Sequence, residues 1–483
     1  MELIIEAIAG AVSGQVLQGN PRRRIAGVST DSRTINPGEL FIPLKGEHFD
    51  GHHFIGQALL AKASGVMVSR EWKQRHLPDL PPDIPVIQVS DTLTALGDLA
   101  RAWVGHTGAT IIAITGSNGK TTTREMTATI LEQSHSVLKP QHNWNNLIGL
   151  PLTLLRLRPH HHMAVLELGM NRRGEIKRLA HIAQPHIGAI TNVGPVHLEY
   201  LKTLDEVALA KNELFESLTS DRHAVINADD SRITALAERC TAHTISFGIT
   251  SAAEVRALQI ADPAAEVNHF ILATGDQSIP VALKMPGIHS IYNALAAAAV
   301  AYLCRVPLQE IKAGLERCGA YPGRMEIIRL DGHITIINDT YNANPTSMEI
   351  ALRTLAHLKG RGRGIAVLGD MLELGETSAE YHRQIGALIS TLQLSTVILT
   401  GTQAPIVAAS ARAQGAGGAT ICIADNHEDI ARRLHQSVQP YDWILFKGSR
   451  AMRVDKSMEL FLGLRSAPTG RPVPGPAVMG CNH

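Results

Sequence analysis

The chain reads as an α/β protein of three domains: a mixed α/β N-terminal domain, a central parallel-sheet domain and a C-terminal Rossmann-like α/β domain. Three observations predict this. A length of 483 residues is about three times the ~150 residues that one ordinary core organises. Short apolar runs alternate with helical stretches through the second and third blocks, the pattern of parallel strands covered on both faces. With 45% apolar and 18% charged residues, each block has enough apolar side chain for its own core.

The first block, residues 1–109, has short strands, turn chemistry at Asn36-Pro37-Gly38 and a proline-rich stretch from Leu77 to Pro85. A helical segment around Leu93 to Val104 leads out of it. The second block, 110–321, opens on the apolar run Ala109 to Thr115, which Gly116 to Gly119 break before helical spacing resumes from Thr121 to Gln133. Apolar runs at Met163–Leu168, His186–Thr191 and His223–Asn227 are its further strands, and the Ala-rich Ile291–Leu303 is a buried helix. Tyr321-Pro322-Gly323 is a closing turn. The third block, 322–465, repeats the alternation with ITIIND, a helix from Ser347 to Leu358, GIAVLGD, TVILTG, ATICIA and WILFKG. The tail, 466–483, is rich in Pro and Gly and is expected to be disordered.

Bulk properties narrow the function. A formal charge of +1 gives no electrostatic case for nucleic acid or an anionic membrane surface as the main partner. The five cysteines, Cys240, Cys304, Cys318, Cys422 and Cys481, form no C-x-x-C pair, so neither a disulfide framework nor a zinc site is indicated. The start, MELIIEAIAGAVSG, has no basic segment and carries two glutamates, so it does not read as a secretory signal. The most apolar helix, Ala294–Leu303, is far shorter than the ~20 residues of a membrane span. A cytoplasmic protein without membrane insertion is expected.

The chemistry concentrates at Thr115-Gly116-Ser117-Asn118-Gly119-Lys120-Thr121, between an apolar strand and a helix. That is the setting of a phosphate loop, and it makes the central domain P-loop ATPase-like. Glycines admit phosphate oxygens to backbone N–H groups, Lys120 reaches the terminal phosphates, and Thr121 can ligate Mg²⁺. Ile114 stands where the general pattern has a further glycine, so the loop is the shorter G-x-x-G-K-T form. Glu167 ends one predicted strand and His197 follows another, which puts both at the carboxyl edge that carries the loop. A carboxylate and an imidazole there can hold a second divalent ion; taken alone, a strand-end Glu or His is more often a cap or a surface group. Lys211, on a helix soon after, reads by default as a solvated lysine. The same loop is also compatible with a nucleotide-gated switch or transport ATPase. His160, His161 and His162 read as a solvated loop, because adjacent side chains point apart.

Nine stretches, the loop among them, carry a resemblance: TGSNGKTTT, HNWNNLIGLPLTLL, ELGMN, NVGPVHLEY, ALAKNELFE, HSIYNALAAAA, YPGRME, DTYNANP and KGSRAMR. In this order the chain resembles the Mur ligase family, the ATP-dependent amide ligases of peptidoglycan synthesis, over about residues 1 to 464. VSTDSRTINPGELFIPLKGEHFDGH and LGDMLELGETS are similar to the branch that adds D-alanyl-D-alanine to UDP-N-acetylmuramoyl-tripeptide. A related ligase adding a single amino acid is the neighbouring alternative.

The resemblance implies roles. ATP would sit on Thr115 to Thr121 and Thr122, with Lys120 on the β- and γ-phosphates and Thr121 and Glu167 on Mg²⁺. Lys211 would be carbamylated and, with Glu167 and His197, support a second Mg²⁺. Asn293 would face the adenine, and Arg324, Asp339 and Asn342 would serve the γ-phosphate and ribose side. Asn143, Asn145, Asn146, Asn344 and Lys447 would lie near the peptide substrates. Ser29, Thr30, Asp31, Ser32, Arg33, Lys45, Gly46, Asp50, Gly51 and His52 would hold the UDP end. Lys120, Glu167, His197, Lys211 and Arg324 are the expected catalytic set, in a monomer whose third domain closes over the central one. The lesser alternative for Asp339 to Pro345 is just a strand end with an Asx-turn.

Overall fold

The computed structural model describes residues 3–46, 48–72, 80–141, 143–262 and 265–466; the start of the proline-rich stretch and residues 467–483 of the tail lie outside them. The chain forms three α/β domains in two compact units. One unit comprises Met1–Ala320 with Glu373–Glu376, the other Tyr321–Leu372 with Thr377–His483.

In the first unit, β1 (Leu3–Ile4) pairs with β3 (Arg24–Ile25). A five-stranded sheet joins β2 (Gln15–Gln18), β4 (Gly27–Ser29), β5 (Glu39–Phe41), β6 (Gly65–Ser69) and β7 (Val86–Val89) in the order β2-β7-β6-β5-β4. Only β2 runs antiparallel. The helix Thr92–Thr107 follows. Asp91 accepts the Thr94 amide at its start, and Gly108, at φ 65°, ends it in the left-handed conformation glycine permits. The caps extend the helix beyond the expected Leu93–Val104, because apolar spacing marks the buried face and not the ends.

The central sheet has nine strands: β8 (Thr110–Thr115), β9 (Val137–Leu138), β10 (Met163–Glu167), β11 (Ile187–Ile190), β12 (His223–Asn227), β13 (His243–Gly248), β14 (Val255–Leu258), β15 (Asn268–Thr274) and β16 (Gln277–Leu283). Their order is β16-β15-β14-β13-β12-β11-β8-β10-β9. The body, β8 to β14, is parallel as expected, with β8 between β10 and β11. Ile111 to Ile114 are fully buried. One set of them packs with the helices Lys120–Leu131 and Ile288–Leu303, whose alanines Ala294 to Ala301 give a smooth buried surface. Ile114 pairs with Glu167 on one side and Ala189 on the other. The strand therefore runs on through the place of the missing glycine, and the loop begins only after it.

β15 and β16 are antiparallel additions that no apolar run announced. Their burial alternates residue by residue, the signature of a strand covered on one face. β16 is the sheet edge and carries Pro280; on the same side Ala282 donates its amide to the Glu316 carboxylate at 2.9 Å.

In the second unit, β17 (Glu326–Leu330), β18 (Ile334–Asp339), β19 (Gly364–Leu368), β20 (Thr396–Leu399), β21 (Thr420–Ile423) and β22 (Trp443–Lys447) form a sheet in the order β17-β18-β22-β19-β20-β21. All neighbours are parallel except β17, an edge strand the sequence reading did not name. The helix Pro345–Leu358 starts two residues before the expected Ser347. Asn344 and Ser347 form a reciprocal capping box around Pro345, and proline suits the first helical turn.

Candidate active site

The loop leaving β8 is shaped by two glycines. Gly119 has φ +81°, and a Cβ there would lie 2.1 Å from Asn293 Oδ1; a Cβ on Gly116 would lie 1.9 Å from Thr191 Oγ1. Any other residue would displace the Asn293 or Thr191 side chain and would have to adopt a positive φ that L residues rarely take. The helix Lys120–Leu131 then starts immediately, so its first amides face the loop, a natural seat for an anion.

A second loop, Thr191 to Gly194 after β11, clamps the first. Asn192 Oδ1 accepts the Asn118 amide at 2.9 Å, while Asn192 Nδ2 and Thr191 Oγ1 donate to the Asn118 carbonyl at 3.0 and 2.6 Å. Ser117 Oγ accepts the Gly194 amide at 2.8 Å. Lys120 Nζ donates to the Gly116 carbonyl at 2.8 Å. Loop shape is thus fixed before any ligand arrives. Asn293, expected beside the adenine, packs against Gly119 and accepts from Thr123 Oγ1 at 3.3 Å. Thr122 is buried in the first helical turn.

Glu167, at the end of β10, is 1% exposed. Thr121 Oγ1 donates to its Oε2 at 2.7 Å, and Asn145 Nδ2 to its Oε1 at 2.8 Å. The buried Arg124 guanidinium lies 3.7 Å from Oε2. A hydroxyl and a carboxylate side by side are the hard oxygen donors that Mg²⁺ takes. Asn145 is held by the Asn143 carbonyl, and Asn146 Oδ1 accepts the Ile148 and Gly149 amides.

Lys211 lies within the helix Leu204–Glu216 and is 2% exposed. Burial, and next the charge of Lys120, push its ammonium well below the usual lysine range, which favours a neutral, nucleophilic amine. The expectation of a solvated lysine gives way, because this face of the helix is covered. His197 has a left-handed backbone, φ 55°, and its Nδ1 lies 2.6 Å from Glu373 Oε2. The His197 hydrogen bond, against the opposing effect of burial, holds the Glu373 carboxyl below its ordinary range.

In the second unit, buried Lys447 donates to Asp339 Oδ2 at 2.6 Å and to the Asn342 carbonyl at 3.0 Å. Asp339 Oδ1 accepts the Met325 amide at 3.1 Å, and Asn342 Oδ1 the Arg450 amide at 3.3 Å. The Arg324 guanidinium stacks 3.9 Å from the Tyr341 ring centroid. Asn344 spends its side chain on the helix cap. The segment from Asp339 is therefore both a strand end with local turns and a cluster built around a buried cation.

The candidate UDP residues leave the carboxyl ends of β4 and β5, the ligand edge of a parallel sheet. Arg33 grips Asp31 through two hydrogen bonds of 2.9 and 2.7 Å, and those bonds hold the Asp31 carboxyl at about 2. Ser29 Oγ bonds within the same turn, and Ser32 Oγ donates to Gln57 at 2.9 Å. Thr30 sits in that turn too. The backbones of Lys45 and Asp50 pair as a short antiparallel bridge, with the Gly46 amide donating to the Phe49 carbonyl and the Gly51 amide to the Leu44 carbonyl. His52 Nε2 accepts the Ser69 amide at 3.1 Å, so its proton sits on Nδ1, 2.6 Å from Asp50. Buried and stacked on Trp72, His52 supports the loop from beneath.

Sequence reasoning missed Arg124, the Thr191–Gly194 clamp, Glu373 and Asp229. Asp229 accepts from Ile249 N, Thr250 N and Oγ1, Ser251 N and, at 2.8 Å, Tyr292 Oη. It anchors the helix that carries Asn293. The neighbouring polar run Asn227 to Asp230 at a strand end was the available signal.

Three family models match: the Mur ligase family catalytic domain over residues 24–104, the Mur ligase middle domain over 114–301 and the Mur ligase glutamate ligase domain over 323–450. The UDP-N-acetylmuramoyl-tripeptide--D-alanyl-D-alanine ligase of Bacillus subtilis is 35% identical over 94% of this chain and 96% of its own. The crystal structure of MurF from Acinetobacter baumannii superposes with a TM-score of 0.86 at 31% identity, covering 96% of this chain and 99% of that one. MurF from Thermotoga maritima, solved in complex with ADP, gives a TM-score of 0.80 at 27% identity over 91% of this chain and 98% of that one.

Proposed function

The chain belongs to the Mur ligase family, and on that premise we propose that it joins D-alanyl-D-alanine to UDP-N-acetylmuramoyl-tripeptide, consuming ATP and giving the pentapeptide, ADP and phosphate. The observation that carries this reading is the buried Thr121–Glu167 pair behind a rigid phosphate loop, in a chain aligned end to end with ligases of that name. No helix among the described residues is long and apolar enough to cross a membrane; the reading places the enzyme in the cytoplasm as a monomer.

The tripeptide carboxylate oxygen attacks the γ-phosphorus of ATP, the bond to ADP breaks, and an acyl phosphate forms. The D-Ala-D-Ala amine then attacks the acyl carbon, phosphate leaves and the amine gives up a proton. Lys120 and the loop amides hold the phosphates while charge spreads over their oxygens. Thr121 and Glu167 would hold Mg²⁺, with His197 and Lys211 at a second ion; bound there, Mg²⁺ supplies neutralising charge to the phosphate oxygens. Neutral Lys211 is primed to add CO₂, its nitrogen bonding carbon and losing a proton to leave a carbamate anion. Arg324 serves the γ-phosphate, Asp339 and Asn342 the ribose side and Asn293 the adenine end. Asn143, Asn145, Asn146, Asn344 and Lys447 serve the peptide substrates. Residues 1–109 bind the UDP end through Ser29–Arg33 and Lys45–His52, 110–321 bind ATP, and 322–465 complete the ligase.

The test is phosphate release with UDP-linked tripeptide, varying the amine. Release requiring D-Ala-D-Ala supports the reading. A single amino acid serving as well points to another ligase, and release without any amine points to a nucleotide switch or ATPase.

A further inference from the structure

The segment Glu373–Glu376 belongs to the same compact unit as the central sheet, and it lies in LGDMLELGETS, a stretch that the phosphate chemistry leaves without a role. Its carboxylate is the partner of His197, Oε2 to Nδ1 at 2.6 Å. Two independent features show that the approach is built. Glu199 donates its amide to the Glu373 carbonyl at 3.0 Å, and a Cβ on Gly375, at φ +54°, would lie 3.0 Å from Glu199 Cα. Both members of the pair also hold left-handed backbones, φ 55° at His197 and 61° at Glu373. For non-glycine residues such conformations persist only where their surroundings determine them, and they cluster at functional sites.

We propose that Glu373 is a positioning residue for His197. Its carboxylate accepts a hydrogen bond from the Nδ1–H, which fixes the tautomer and the ring plane and leaves the lone pair on Nε2. Carboxylate–histidine pairs do this wherever the far ring nitrogen must present a lone pair. The role rests on the placing of His197 in the catalytic set, and its test separates the two. Because the Glu199–Glu373 bond is made by the backbone, changing the Glu373 side chain leaves that anchor in place.

The experiment has two arms. In ligand-free protein labelled with ¹⁵N-histidine, a long-range ¹H–¹⁵N spectrum, with His197 assigned from His197→Gln, should show Nε2 unprotonated. Glu373→Ala should mix the tautomers, and Glu373→Gln, whose amide oxygen still accepts from Nδ1, should keep most of the native form. In kinetics, Glu373→Ala should lower kcat about 10- to 100-fold with KM for the UDP-linked substrate little changed. In a His197→Ala background the same change should cost almost nothing more. An unmoved tautomer, a wild-type kcat, or a loss that persists without His197 would overturn the proposal. The spectral arm reads out even if the chain ligates some other amine.

Discussion

The phosphate loop and the first-domain loops sit at corresponding places, each beyond the carboxyl ends of parallel strands, yet they are built in opposite ways. Thr115, Ser117 and Thr121 are buried, and the loop is tied to Thr191–Gly194 by bonds between residues over 70 positions apart in sequence. Arg33 and Lys45 instead leave 79% and 70% of their side chains exposed, and Arg33 is paired with Asp31 only two residues away. One region is preorganised by the tertiary fold and acts on charge in a dry setting, where electrostatic effects are large. The other is locally organised and solvated, where water screens an ion pair and leaves it little net effect.

Substitutions should obey that contrast. Lys120→Ala, in the preorganised loop, should reduce ATP-dependent product formation by at least about 10³-fold with an unchanged circular dichroism spectrum; a variant keeping substantial activity would break the comparison. Lys447→Met strips Asp339 of its buried cation. Removing one partner of such a pair costs about 3 kcal/mol, measurable as a lower urea midpoint for the second unit, and Asp339→Asn added to it should restore part of the loss.

Acid should sharpen the contrast further. His186 Nδ1 accepts the Ile111 amide, His161 Nδ1 the Arg158 amide and His382 Nε2 the Met371 amide. Burial first of all holds each imidazole below its ordinary value. The unfolded chain takes up these protons near pH 6.5, so the stability they confer is full above that pH and drains away as pH falls through the lower folded values. Tm should therefore drop between pH 7 and about 5. The exposed Asp31–Arg33 pair gives up its share only between about pH 4 and the folded value near 2. A flat Tm down to pH 5 would remove the distinction. The smallest effect belongs to Arg33→Ala: Tm should hardly move, because water screens this exposed pair, while KM for the UDP-linked substrate rises several-fold and kcat holds.

What could be read in advance follows the same division. The phosphate loop, the central strands β8, β10, β11 and β12 and the third-domain strands β18 to β22 depend on local spacing, and the residues announced them. Arg124, the Thr191–Asn118 clamp and the His197–Glu373 pair are side-chain meetings across 43, 73 and 176 positions, which no local pattern encodes. β15 and β16 escaped because half-exposed strands lack the continuous apolar run that marked β8 and β10. The burial of Lys211 was not legible from the residue alone for a related reason: a lysine in a polar-looking helix is buried only because of what packs over it.

The outer rim of β16 has a bearing on how this protein behaves in concentrated solution. A terminal strand offers a row of free amides and carbonyls to any strand that drifts near, and that is how sheets of separate molecules fuse. Here the outward positions are blocked in turn: Pro280 has no amide to give, and the Ala282 amide is already taken by Glu316. At these two positions the rim of the nine-stranded sheet has no free amide to offer a tenth strand from a neighbour.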